Sequence, residues 1–350
     1  MTMIELKSVS KQYLYGARVL ASTDMTIKSG EIVALLGDDG SGKTTFLKVV
    51  AGVTDFEGEI LFDGEPLAKK PDDVVMVFDD LALFANRSCY YNLAYPLKIR
   101  GVSKDVIDQK VKACADRAGI TASLYSRVRK LSLIDKKRLA IARLFLRDCK
   151  VVLIDDITKG LDKDEATVLW QEVAPALQDF AKEGKCVIFS TRDYKEAISI
   201  AERIVVMHYR QIKQIGTYEQ IRANPDNIWA AQAFDPDYAF EKAKLSFEGE
   251  KLFATTEDGY EIDLGHLVGK IADSYVGKDV YIGWNRDEYD VFGDRKEKVE
   301  HAFVTTDGYV LKCGNRKVKS REKLEEVGTL PLANATLVFD ETNENSIVTK

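Results

Sequence analysis

From Ile4 to about Ala233, short apolar runs alternate with stretches of helical periodicity. The runs at 31–37 (EIVALLG), 74–78 (VVMVF), 150–155 (KVVLID), 185–191 (KCVIFST) and 203–207 (RIVVM) are continuous rather than alternating. Strands of that kind are covered on both faces, so the pattern predicts an α/β fold with a buried, mainly parallel sheet. Residues 1–10 (MTMIELKSVS) alternate as a half-buried strand does. From Asn86 to about Leu131 the periodicity is helical and strand-free, which predicts a helical insertion over about 86–145. Beyond 234–240 (FDPDYAF) the texture becomes short alternating runs broken by Glu248-Gly249, Asp258-Gly259, Asp307-Gly308 and Gly314-Asn315. These are hairpin signals, so two domains are expected: an α/β unit over 1–235 and a β-rich unit over 236–350. The segment 253–260 (FATTEDGY) recurs loosely as 303–309 (FVTTDGY), either as two related β units or as a chance likeness between turns.

Composition narrows the function classes. At 350 residues, the chain exceeds the usual size of one core, and 45% hydrophobic residues suffice to build two. A net charge of -6 disfavours nucleic acid as a partner. The five cysteines are odd in number, scattered and without C-x-x-C spacing, which argues against a disulfide framework or zinc site and for a reducing cytoplasm. Residues 1–10 hold no apolar h-region, so no secretory signal is expected, and every apolar run falls far short of the ~20 residues that a membrane helix needs. Membrane contact is therefore expected only through another chain.

The chemistry centres on 37–45 (GDDGSGKTT). Gly37, Gly42, Lys43 and Thr44 fit G-x-x-x-x-G-K-[ST], between a predicted strand and a predicted helix. Glycines let backbone N–H groups approach phosphates, the lysine reaches the terminal ones, and the threonine hydroxyl meets Mg²⁺. Gly40, Ser41 and Thr45 belong to the same cradle, for which ATP is the expected ligand. The bland alternative is a glycine-rich strand-to-helix turn. Asp38 and Asp39 repel phosphate unless they point outward or are offset by Lys43 and the metal. Asp155, ending an apolar run, is the expected partner of Thr44 on Mg²⁺.

The order of motifs resembles the nucleotide-binding subunits of ABC transporters. Residues 77–84 (VFDDLALF) resemble that family's Q-loop and 131–143 (LSLIDKKRLAIAR) its signature helix. Residues 153–162 (LIDDITKGLD) are similar to its Walker B strand and D-loop, and 187–197 (VIFSTRDYKEA) to its H-loop. With the β-rich tail, the chain is most similar to the sugar-importer branch, whose regulatory domain is OB-like. Residues 280–288 (VYIGWNRDE) and 337–347 (LVFDETNENSI) resemble strands of that tail. The resemblance implies adenine stacking on Tyr13, with Tyr15 the neighbouring candidate.

Four departures from the family pattern bear on mechanism. Asp79 stands where the family has a glutamine that ligates Mg²⁺ and positions water, and it still offers an oxygen to the metal. Asp156 replaces a catalytic glutamate, which shortens its reach by about 1.5 Å where a misplacement of about 1 Å costs ~10²-fold in rate. Arg192 replaces a histidine that meets the γ-phosphate: either a clamp on transferring charge or a solvated side chain. Leu133, Ile134 and Asp135 replace two glycines and a glutamine in the signature, while Ser132 remains, to face the partner's ATP, to cap a helix, or both. The resemblance implies ATP and Mg²⁺ as ligands, membrane-spanning permease subunits and a second cassette as partners, and a peripheral place on the cytoplasmic side of the membrane. Because in that family each ATP lies between two cassettes, the resemblance makes a heterodimer with an intact partner the preferred expectation. The expected activity is slow ATP hydrolysis driving solute import, with carbohydrate the expected solute. The alternative is a nucleotide-gated regulatory subunit that hydrolyses nothing. A soluble cassette acting on ribosomes or DNA fares worse, because such proteins resemble two fused cassettes or carry a long coiled coil, and neither pattern stands in this sequence.

Overall fold

The computed structural model describes residues 2–13, 16, 18–67, 72–235, 238–284, 295–305, 308–313, 316–321, 323–329 and 336–348. Tyr15, 285–288 of the tail resemblance, Asp307 and the Gly314-Asn315 turn lie outside the described residues. The chain divides into two compact units, Met1–Tyr218 and Glu219–Lys350.

In the first unit, strands β1 (Thr2–Gln12), β2 (Arg18–Lys28), β4 (Glu57–Phe62) and β5 (Glu65–Pro66) form an antiparallel sheet in the order β2-β1-β4-β5. A six-stranded sheet contains β3 (Ile32–Leu36), β6 (Val74–Val77), β7 (Val151–Asp155), β8 (Cys186–Thr191), β9 (Arg203–His208) and β10 (Gln211–Gly216), ordered β10-β9-β3-β8-β7-β6. The five runs expected as strands are its parallel members, and β10 returns antiparallel from β9. β3, β7 and β8 are buried at every position, because layers cover both faces. Helix α1 (Lys43–Val50) shares one core with both sheets: Phe46, Leu47, Val49 and Val50 are buried with Ile4, Leu6, Ile27, Leu35 and Leu153. Each such side chain contributes roughly 1.5–3 kcal/mol.

The insertion carries α2 (Cys89–Lys98), α3 (Lys104–Arg117) and α4 (Leu133–Ala142) around a separate apolar cluster of Leu93, Leu97, Ile107, Val111, Leu139 and Leu146. Ser88 caps α2 by accepting the Tyr91 N–H, and Ser132 caps α4 by accepting the Asp135 N–H at 3.2 Å. Helix α5 (Lys163–Lys182), capped by Asp162, and α6 (Tyr194–Ile200) follow β7 and β8.

Short helices α7 (Tyr218–Ala223) and α8 (Ile228–Gln232) precede the strands of the second unit. The composition changes at 235/236 but the division falls after Tyr218, because Ile228 and Ala231 of α8 pack with Tyr238 and Phe339. The β-rich tail is present. Strands β11 (Ala239–Glu248), β12 (Lys251–Thr256), β13 (Glu261–Asp263), β14 (Asp279–Trp284) and β20 (Leu337–Asp340) form an antiparallel sheet ordered β13-β12-β11-β14-β20. β15 (Lys296–Lys298) pairs with β19 (Glu326–Gly328), and β16 (His301–Thr305), β17 (Gly308–Cys313) and β18 (Arg316–Ser320) form a three-stranded sheet. The two similar segments at 253–260 and 303–309 both enter hairpins, β12–β13 and β16–β17.

All five cysteines are buried. Among the described residues, no helix is long and apolar enough to cross a membrane.

Candidate functional site

The loop from β3 to α1 is shaped by close packing. A Cβ on Gly37 would lie 2.2 Å from the Met207 carbonyl oxygen of β9, so only glycine fits there. Gly40 and Gly42 take φ of 77° and 106°, the left-handed region that glycine enters without strain. Gly42 stands at the start of α1 with no side chain on its N–H groups, leaving them for an anion. Lys43 is buried, and its ammonium donates to the carbonyls of Gly37 and Asp38, the latter at 2.8 Å. Burial lowers its pKa, opposed by the carboxylates of Asp156, Asp39 and Asp155.

A cavity of about 490 Å³ opens over this loop, lined by Gly40, Ser41, Gly42, Lys43, Thr44 and Thr45 together with Asp79, Asp155 and Asp156. Asp155 ends β7 opposite Ser190 of β8. Its Oδ1 accepts from Ser190 Oγ at 2.7 Å, while its buried Oδ2 has no partner among the described residues. A buried carboxylate oxygen left without a donor in a cavity wall fits a hard cation, and Thr44 and Asp79 line the same cavity. The residues present therefore suit Mg²⁺.

Asp156 has φ 43°, a strained conformation for a side-chain-bearing residue, and its N–H donates to Ser190 Oγ at 2.9 Å. Burial raises its carboxyl pKa, opposed chiefly by Arg192. Arg192 is neither free nor simply solvated: Nε lies 3.6 Å from Asp156 Oδ2, and Nη1 bonds Asp39 Oδ2 at 3.1 Å. Lys159 reaches the other oxygen of Asp39 at 3.6 Å. Asp39 is thus offset by two cations, Arg192 and Lys159, rather than by Lys43 and the metal. Burial lowers the pKa of Lys137 on α4, opposed by the charges of Asp156 and Asp79.

Of the expected nucleotide contacts, Gly37, Arg192, Tyr13 and Ser132 lie outside the cavity lining. Tyr13 is 44% exposed and carries the Lys11 ammonium 4.8 Å from its ring centre. Ser132 acts as a helix cap, its Oγ also donating to Asp135 Oδ2 at 2.9 Å. Arg138 in turn holds Asp135 at 3.1 Å and Glu172 at 2.7 Å, so Asp135 is already neutralised. Sequence reasoning passed over Ser190, Lys159, Lys137 and Arg210. Lys159, Lys137 and Ser190 stand in the Walker B, signature and H-loop stretches without any feature to single them out, and Arg210 reaches the site only through a hairpin tip.

Fold and loop together define a P-loop nucleotide-binding cassette. Comparison with known proteins places it further. Residues 20–159 match the ABC transporter family model. The chain is 37% identical over 237 residues to a spermidine/putrescine import ATP-binding protein of Spiroplasma citri, covering 66% of each. It is 34% identical over 239 residues to an sn-glycerol-3-phosphate import ATP-binding protein of Cupriavidus metallidurans (66% of this chain, 63% of the relative). It is 32% identical over 246 residues to a multiple sugar-binding transport ATP-binding protein of Streptococcus mutans (66% and 64%). These alignments span slightly under two thirds of the relatives' length. Among solved structures, cbiO1 from Clostridium perfringens, part of the ABC transporter complex cbiONQ, has a TM-score of 0.56 at 25% identity, covering 63% of this chain and 91% of that one. The ATP-binding cassette MJ0796, bound to ADP and Pi, shares the fold with a TM-score of 0.56 at 24% identity (61% and 98%). The N-terminal unit is an ATP-binding cassette of the ABC transporter family.

Proposed function

We propose that this chain is the ATP-binding subunit of an ABC importer, working on the cytoplasmic side of a membrane through permease partners that supply the membrane-spanning part. One observation carries the reading: a cavity of about 490 Å³ floored by a glycine–lysine cradle and walled by Asp155, whose buried Oδ2 lacks a donor among the described residues. Backbone N–H groups of Gly40 to Thr45 bind the phosphates of ATP, and the Lys43 ammonium exchanges its loop carbonyls for phosphate oxygens. Thr44, Asp155 and Asp79 would hold Mg²⁺, which supplies charge neutralisation at the β- and γ-phosphates. Asp156 orients the attacking water. Arg192, beside it, stabilises charge on the terminal phosphate.

Hydrolysis in this reading is slow. The Asp156 carboxylate is one methylene short, lies 3.6 Å from a cation that competes for it, and is disfavoured in its charged form by burial. A second cassette with intact groups relieves the deficit, which supports a heterodimer. A groove of about 500 Å³ between the sheet and the helical insertion, with exposed Phe84, Ile99 and Val53 on its rim, suits a permease segment. The relatives' names span polyamines, glycerol phosphate and sugars, so the import reading extends to a small polar solute, carbohydrate among them. The OB-like tail and the adenine contact of Tyr13 remain part of the proposal.

The test is MgATP affinity and turnover of the full chain, alone and as the Asp156→Glu, Arg192→His double variant. Turnover rising at least about tenfold supports a weakened motor. Binding without turnover in either protein favours the nucleotide-gated regulatory subunit. Absence of MgATP binding removes both.

A further inference from the structure

The cavity over the phosphate loop has three cationic side chains in its wall: Lys43, Lys159 and Arg210. Lys43 donates to the loop's own carbonyls, and Lys159 pairs with Asp39 at 3.6 Å. The guanidinium of Arg210 differs, in that among the described residues it forms no hydrogen bond or ion pair.

The placement of Arg210 is over-determined. It forms, with Tyr209, the two-residue turn between β9 and β10, at φ 44° and 68°, the left-handed pair that a type I′ hairpin turn requires. Glycine, asparagine or aspartate meets that requirement with little strain, whereas tyrosine and arginine do not. The turn is pinned from both sides: the Arg210 N–H donates to Ser41 O at 3.1 Å, and its carbonyl accepts from the Ala21 N–H at 2.9 Å. Its Cα sits beside the start of α1, where a Cβ added to Gly42 would come within 3.5 Å of it. A bulky cation is thus held in a strained turn against the phosphate loop, with every guanidinium donor available. Strain of this kind persists where the surroundings enforce it, and it clusters at ligand sites.

The geometry points to Arg210 as a polyphosphate-binding residue, its guanidinium taking non-bridging oxygens of the α- and β-phosphates from the hairpin tip. This rests on the nucleotide-binding reading above and adds to it a contact from outside the phosphate-loop motif. The charge inventory supports an anion as the ligand. Asp39, Asp79, Asp155 and Asp156 all line the cavity, and Arg210 is a lining cation that among the described residues pairs with none of them. A planar fork of donors matches phosphate bidentately and does not favour the neutral, apolar faces of adenine to the same degree.

The test uses the full chain and isothermal titration with MgATP, MgADP, inorganic tripolyphosphate and adenosine, comparing wild type with Arg210→Gln, Arg210→Lys and Arg210→Gly. Thermal unfolding without ligand checks that each variant folds, and Arg210→Gly relieves the strained backbone, so it guards against misfolding of the other two. Expected is an affinity loss of about tenfold for all three phosphate ligands in Arg210→Gln and Arg210→Gly, the low end for a charge-assisted hydrogen bond at an exposed rim. Adenosine binding stays unchanged, Arg210→Lys falls between, and the salt dependence of binding flattens in Arg210→Gln. Equal affinities in wild type and Arg210→Gln overturn the inference while leaving the nucleotide-binding reading intact. A loss confined to adenosine overturns it in favour of a base contact. If wild type binds neither MgATP nor tripolyphosphate, the nucleotide-binding reading itself fails and the inference falls with it.

Discussion

Gly37→Ala isolates the steric origin of the phosphate loop. The added methyl would lie 2.2 Å from the Met207 carbonyl oxygen, 2.9 Å from Ser41 Oγ and 3.2 Å from the Met207 carbonyl carbon, where contacts under 3.0 Å force something to move. The Met207 carbonyl belongs to β9, which is paired to β3 on one side and β10 on the other, so it has little freedom to retreat. The loop must therefore shift by on the order of 1 Å, at an overpacking cost of about 1–3 kcal/mol. For a unit of this size that is a melting-temperature loss of roughly 2–12 °C. The same shift moves the cradle off its ligand, and a displacement of about 1 Å is enough to reduce turnover ~10²-fold. Gly40→Ala is the matched control. Gly40 has nothing within 4 Å of a would-be Cβ and faces only the strain of φ 77°, about 1–2 kcal/mol. Thermal unfolding and MgATP titration of the two variants are the assay. If Gly37→Ala melts within about 1 °C of wild type and binds MgATP equally well, close packing does not shape this loop.

Ser190→Ala removes the donor to Asp155 Oδ1 and the acceptor of the Asp156 N–H, both buried; it is expected to cost about 1–3 kcal/mol in denaturant unfolding and to blunt the Mg²⁺ dependence of nucleotide affinity. Chelating Mg²⁺ is expected to weaken ATP binding to wild type, since carboxylates lining the cavity then meet the phosphates without offset, and titration with and without a chelator reads this directly. The hydrogen bond to Asp108 raises the Tyr90 phenol from 10.0 to about 12. A raised acid pKa in the folded state means that its stabilisation is complete below pH 10 and is lost as pH climbs toward 12. Wild type should therefore lose its stability advantage over Tyr90→Phe across that window, measured as the difference between their unfolding curves.

Much of the cassette was legible because its signals are local. Five continuous apolar runs became the five parallel strands, since a run covered on both faces leaves no polar alternation to confuse it with an edge strand. Gly37 to Thr45 carried its chemistry in adjacent residues, and Ser132 its cap in a four-residue span. The division between units was less legible, because the helical texture of 219–235 matches the cassette while α8 packs with the β-rich unit.

Local order along the chain thus determined that a phosphate cradle follows the first central strand, and that carboxylates and an arginine stand where other groups are expected. Which charges meet was decided by the fold. Ser190 bridges Asp155 and Asp156 through the register of β7 with β8, Arg192 and Lys159 converge on Asp39, and a hairpin tip sets Arg210 against the loop. The physical reason is range: backbone geometry and apolar periodicity act over a few residues, whereas an ion pair depends on a few ångströms in space between groups more than a hundred positions apart in the chain.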